Sequence, residues 1–180
     1  MQSARSRRST TGQRSSTIPF FALLDRYSNK PLNDDDGPVM QLALEPLWRD
    51  HDGMVQLQFS MEGAGFAATI DFYSNRDALE EFGRALQEFP RSSTDEVVFE
   101  NGTSATNSYG WLVLRAFVVD SVGHSALEVE CQRIGTRLVS ARSRFAVELE
   151  PATLNRLGRG LASWASGSSE LSFVFDSDER

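Results

Sequence analysis

His124 stands in a turn with Asp120, Ser121 and Ser125 close by, and together these supply the residue types of a hydrolytic triad. A triad works by convergence, with the acid behind the imidazole and an oxyanion hole opposite. Residues of one hairpin turn splay into solvent instead, so a solvated turn histidine is expected. His51, between Asp50 and Asp52, offers metal-type ligands. A closed transition-metal site needs three or four convergent donors, and the chain holds only two histidines and one cysteine. A strand-entry turn is the expectation there, with no metal and no other cofactor. Gly63-Ala64-Gly65 opens no helix and lacks the third glycine of a dinucleotide loop, so it marks a hairpin turn. Asn33 to Pro38 lacks the alternating oxygen ligands of a calcium loop. Glu128, Glu130, Glu148 and Glu150 are numerous enough for acid–base work, but alternation sets them on the wet side of a sheet, where no pocket would tune them. No enzyme is expected.

The elements that would carry these residues centre on two stretches seventy-five positions apart, Leu79 to Phe89 and Leu154 to Trp164. In each, large apolar residues fall at i, i+3, i+7 and i+10 with Gly-Arg between the second and third, which spells an amphipathic helix. Ser74 can cap the first, with Asp77 in the capping-box position, and Pro90 ends it. Pro151 suits the first turn of the second. Strand patterns surround them: Val39 to Leu44; Val55, Leu57, Phe59 and Met61; Phe66, Ala68, Ile70 and Phe72; Val97 to Glu100; Trp111 to Val119; Leu127, Val129 and Cys131; Phe145, Val147 and Leu149; Leu171, Phe173 and Phe175. Cys131 alternates inward and reads as a small core residue.

These patterns predict an α+β fold, a mainly antiparallel sheet with both helices on its apolar side. Strand, strand, helix, strand occurs twice, from Val55 to Glu100 and from Ala126 to Phe175, which admits a tandem ββαβ duplication. A stripe common to any core-facing helix gives the same architecture. The chain divides into a disordered basic tail (1–17), an extended segment (18–38), a single domain (39–176) and an acidic C-terminal tail (177–180).

Formal net charge is −7. Arg5, Arg7, Arg8 and Arg14 lie in the first sixteen residues with no acid among them, leaving 14 basic against 25 acidic residues, near −11, in the rest. Such a body repels nucleic acid and suits a basic partner. Seventeen of the basic residues are arginine and one is lysine, as in a GC-rich bacterial genome. One cysteine allows no intramolecular disulfide and fits a reducing cytoplasm. The run Ile18 to Leu24 is too short to span a bilayer, and Pro19 and Asp25 count against a targeting peptide, so no membrane partner is expected.

One stretch resists a bland reading. If Leu112, Leu114, Ala116 and Val118 face the helices, then Trp111, Val113, Arg115, Phe117 and Val119 face outward among Glu128, Glu130, Gln132, Glu148, Gln56 and Gln58. Trp and Arg ringed by polar groups are the residue types that dominate protein interfaces. Ile18 to Leu24, a second copy of the chain or a different protein would cover such a strip. The candidate partner-binding residues are therefore Trp111, Arg115, Phe117, Glu128, Glu130 and Glu148.

Asp52 to Pro90, then Gly123 to Val129, then Phe145 to Pro151 resemble, in the order of their elements and the Leu-x-x-Phe-x-x-x-Leu helix, small bacterial proteins of the WapI-like immunity type. The likeness implies a non-enzymatic cytosolic protein that neutralises a basic toxin by occlusion. The tail and the segment before Val39 fall outside it. The alternative is a homodimeric structural or accessory protein using the same patch on itself.

Overall fold

Strand alternation begins at Met40 and, instead of stopping at Leu44, continues through a bulge between Pro46 and Trp48 to Arg49. The computed structural model describes residues 39–104, 110–133, 140–167 and 171–179; the expected tail (1–17) and extended segment (18–38), with Ile18 to Leu24 and Asn33 to Pro38, lie outside the described residues. The elements are β1 (Met40–Arg49), β2 (Met54–Gly63), β3 (Phe66–Asn75), α1 (Arg76–Gln87), β4 (Glu96–Asn101), β5 (Gly110–Val118), β6 (Ser125–Arg133), β7 (Ala141–Leu149), α2 (Pro151–Ser166) and β8 (Phe173–Asp176).

The fold is α+β with antiparallel strands, and the strands form two four-stranded sheets rather than one, in the orders β3-β2-β1-β8 and β4-β5-β6-β7. Each helix hands the chain from one sheet to the other. After α1 the chain enters β4 of the second sheet, and after α2 it returns as β8 beside β1 of the first. The repeat is thus βββαβ, taken twice, with the last strands exchanged. One hydrophobic cluster takes side chains from both sheets and both helices, including Leu44, Phe59, Ile70, Phe99, Leu114, Leu127 and Val147. Cys131 is buried within it as expected, and burial raises its thiol pKa.

The two helices meet at the paired glycines. A Cβ on Gly83 would lie 2.6 Å from the Ala162 nitrogen and 2.9 Å from the Gly158 oxygen, and one on Gly158 would lie 2.6 Å from the Gly83 oxygen. The helix backbones therefore touch, which only glycine permits. Around the crossing Leu79, Phe82 and Leu86 of α1 and Leu154, Leu157 and Leu161 of α2 are buried, each contributing roughly 2 kcal/mol of burial. Asn75, one residue after the expected Ser74, is the N-cap of α1, its Oδ1 accepting from the Ala78 N–H at 3.0 Å. Asn155 of α2 donates to the carbonyls of Leu86 (2.8 Å) and Phe89 (2.5 Å), satisfying the end of α1.

Candidate interaction surface

Strand register sends Leu112, Leu114 and Ala116 of β5 into the core and leaves Trp111, Val113, Arg115 and Phe117 on the outer face of the second sheet, as the alternation predicted. That face is not an open apolar strip. Trp111 is only 9% exposed: its indole N–H donates to Glu100 at 2.8 Å, and the Arg142 guanidinium lies 5.4 Å over its ring. Arg142 donates through Nε to Glu130 at 2.7 Å, and a second donor, Nη2, reaches the same oxygen. Arg144 binds Glu128 at 3.0 Å. Arg115 donates to Glu96 at 2.7 Å, stands 3.8 Å from Glu128 and covers the Phe117 ring at 4.6 Å. The bond from Arg115 holds the Glu96 carboxyl below its ordinary pKa.

Three expectations change here. Trp111 is covered, Glu130 is buried at 8% exposure, and Glu128 and Glu130 are matched by this chain's own arginines rather than left for a partner's. Alternation assigned the face correctly, but it carries no information about the diagonal pairs that β6–β7 register creates. Arg115 and Phe117 are half-buried within this lattice, and Glu148 alone of the six predicted residues is exposed, at the far end near His124.

His124 Nδ1 sits 2.5 Å from Asp120 Oδ2, while Asp120 Oδ1 accepts the N–H groups of Val122, Gly123 and His124. The carboxylate raises the His124 pKa and is itself held below its ordinary value by the imidazole. Ser125 is fully buried, its hydroxyl donating to the Leu149 carbonyl at 2.5 Å, so it does not face the imidazole as a nucleophile would. The pair clamps a turn. His51 and Asp52 are 3.5 Å apart and largely exposed, and no cluster of three metal-type ligands occurs among the described residues.

A second surface was not anticipated. On the outer face of the first sheet, strand pairing sets Trp48, Gln56 and Tyr73 in one row and Glu45, Gln58 and Asp71 in the next, with Met54 beyond. Trp48 is 50% exposed, Met54 50% and Tyr73 41%. Gln58 donates to Asp71 at 3.0 Å, and among the described residues no arginine pairs with Glu45, Glu62 or Asp71. The bulge at Leu47 breaks the alternation of β1, which hid this row from the sequence pattern. The signal that could have found it is Trp48 and Met54 bracketing the Asp50-His51-Asp52-Gly53 turn.

No family model and no curated protein matches the chain. Two solved structures resemble it: the plant transcriptional regulator PBF-2, at 14% identity and a TM-score of 0.41 over 72% of this chain and 76% of that one, and WHY3 from Arabidopsis thaliana, at 10% identity and a TM-score of 0.39 over 73% of this chain and 87% of that one. The exclusion of nucleic acid as a partner is corrected at this point, because a transcriptional regulator stands among the structures this chain is similar to. No helix among the described residues is long and apolar enough to cross a membrane.

Proposed function

We propose that the chain is a non-enzymatic protein-binding module that docks a basic partner on the outer face of its first sheet. The observation that carries this reading is the row of Trp48 and Tyr73, exposed beside Met54 and beside carboxylates that no arginine among the described residues neutralises. Aromatic anchors supply contact area at low entropic cost, and unmatched acids steer a basic surface toward them. An immunity protein that occludes a basic toxin is the specific role within this reading that the order of elements suggests. The docking surface moves from the second sheet, whose outer face is closed by its own ion pairs, to the first.

The test is capture from lysate of the source organism and its close relatives by the full chain, with Trp48→Ser and Arg115→Glu baits in parallel and light scattering of each bait. A basic protein held by the wild type and by Arg115→Glu but lost from Trp48→Ser supports the reading. A nuclease-sensitive catch, or a dimer that dissociates on Trp48→Ser, would assign the face to nucleic acid or to a second copy and overturn it.

A further inference from the structure

The free edge of the second sheet carries a charge pattern complementary to itself. β7 ends that sheet, pairing with β6 in unbroken register on one side, and among the described residues no other backbone bonds to it. Its outward side chains run Arg142, Arg144, Ala146 and Glu148, and Glu150 continues the row just past the strand. All five are exposed. Two arginines, an alanine and two glutamates become their own complement when a second such strand lies antiparallel. We propose that the chain forms a two-fold dimer by antiparallel pairing of β7 with the β7 of a second copy, centred on Ala146, so that Arg142 faces Glu150 and Arg144 faces Glu148. The dyad repeats each contact, so every charge in the row meets its opposite.

Both halves of the row have capacity to spare. Glu148 and Glu150 form no ion pair among the described residues, and His124, whose charge Glu148 feels, is bonded to Asp120. Arg142 reaches Glu130, and Arg144 reaches Glu128, through Nε and Nη2, which leaves Nη1 of each. These two side chains are 58% and 57% exposed. Edge strands of monomers are blunted by short length, proline, bulges or inward charges. β4 and β8 are short, at six and four residues, whereas β7 has nine and none of the other devices. The pattern is not a consequence of edge position, because β3, an edge of the first sheet, turns Ala67, Thr69, Asp71 and Tyr73 outward with no arginine to meet an acid. Phe66, stacked on Phe145 at 5.9 Å, is 62% exposed, an apolar ring beside the β7 edge that a second strand would shelter. Such a dimer leaves the outer face of the first sheet free, so it stands or falls independently of partner docking there.

Sedimentation velocity of the full chain from about 5 to 500 µM should show a monomer–dimer equilibrium. Salt at about 0.5 M should weaken it by roughly fivefold or more. Glu148→Arg combined with Glu150→Arg sets arginine against arginine and should weaken it by more than about tenfold with circular dichroism unchanged, while Trp48→Ser leaves it intact. Ala146→Cys reports the register. Directly opposed residues of an antiparallel pair have Cβ atoms about 5 Å apart, so mild oxidation should link the two copies through it. Glu148→Cys, which faces Arg144, should cross-link at less than about one fifth of that rate, and the native Cys131 is buried. A chain that stays monomeric throughout, a dimer indifferent to the charge reversal, or faster cross-linking through Glu148→Cys or through Thr69→Cys on the first sheet's edge would overturn the proposal.

Discussion

Replacing Gly83 by alanine pits two effects of opposite sign. In a solvent-exposed helix interior the change would stabilise by about 1 kcal/mol, through helix propensity. Here the new methyl would meet the Ala162 nitrogen at 2.6 Å and the Gly158 oxygen at 2.9 Å, and both are backbone atoms of α2 that cannot rotate away. Restoring ordinary contact requires α1 and α2 to part by roughly 1 Å, loosening the packing of Leu79, Phe82, Leu86, Leu154, Leu157 and Leu161. Overpacking of this kind costs about 1–3 kcal/mol, and backbone-on-backbone contact belongs at the upper end. A net loss of about 2 kcal/mol follows, equivalent to a fall of roughly 4–8 °C in Tm for a domain of this size. Gly158→Ala should behave alike, because its methyl would meet the Gly83 oxygen at 2.6 Å and the Leu86 Cβ at 2.7 Å. One separation of the helices relieves both clashes, so the double variant should lose less than the sum of the singles. Urea denaturation followed by circular dichroism measures all three. If Gly83→Ala raises the midpoint as a free helix would, the close crossing is wrong.

Arg142→Ala should cost about 1–2 kcal/mol and shift tryptophan emission to the red, since it uncovers Trp111 and leaves the buried Glu130 without its closest partner; an unchanged spectrum would contradict the covered indole. The His124–Asp120 clamp gives stability a pH signature. The raised pKa of His124 means its contribution is complete below its unfolded value, about 6.5, and fades as pH rises through the folded one. Asp120 is lowered, so its contribution is present above about 3.8 and fades as pH falls through the folded value. Asp120→Asn should return the His124 titration, followed by proton NMR, toward its ordinary midpoint; an unmoved midpoint would exclude the clamp. Ser125→Ala removes the buried hydroxyl bond to Leu149 and should cost roughly 1 kcal/mol in urea midpoint, with partner capture unchanged.

Periodicity exposed most of the fold because burial acts on every second strand residue and on one stripe of each helix. Val55, Leu57, Phe59 and Met61 alternate inward, Gly83 and Gly158 sit at matching places in their helices, and the repeated strand, strand, helix, strand order is real. Periodicity could not say that the strand after each helix joins the other sheet, since β4 and β8 look alike whichever neighbour they find. The surface was less legible. Trp111 sits on the predicted face yet is sealed, because Arg142 reaches it from a strand two places across the sheet. Trp48 escaped notice because the bulge after Pro46 breaks the period-two pattern on which strand recognition depends.

Inside the repeat, equivalent positions hold equivalent residues: Leu79 and Leu154, Leu86 and Leu161, Gly83 and Gly158. Packing leaves them little choice, since a core at crystalline density tolerates few changes of volume. Outside, the same backbone carries opposite chemistry, with Glu45 where the second sheet has Arg115, Thr69 where it has Arg144 and Ser60 where it has Glu130. Folding does not require that divergence. The second sheet shows that this scaffold can cover outward aromatics with arginine and pair those arginines with glutamates, and ion pairs at a surface add too little stability to compel either arrangement. A half-exposed tryptophan beside unmatched carboxylates gains nothing from the monomer's own contacts. Its energetic return lies in the burial and charge matching that another molecule would complete, which is why the first sheet rather than the second is where binding should be sought.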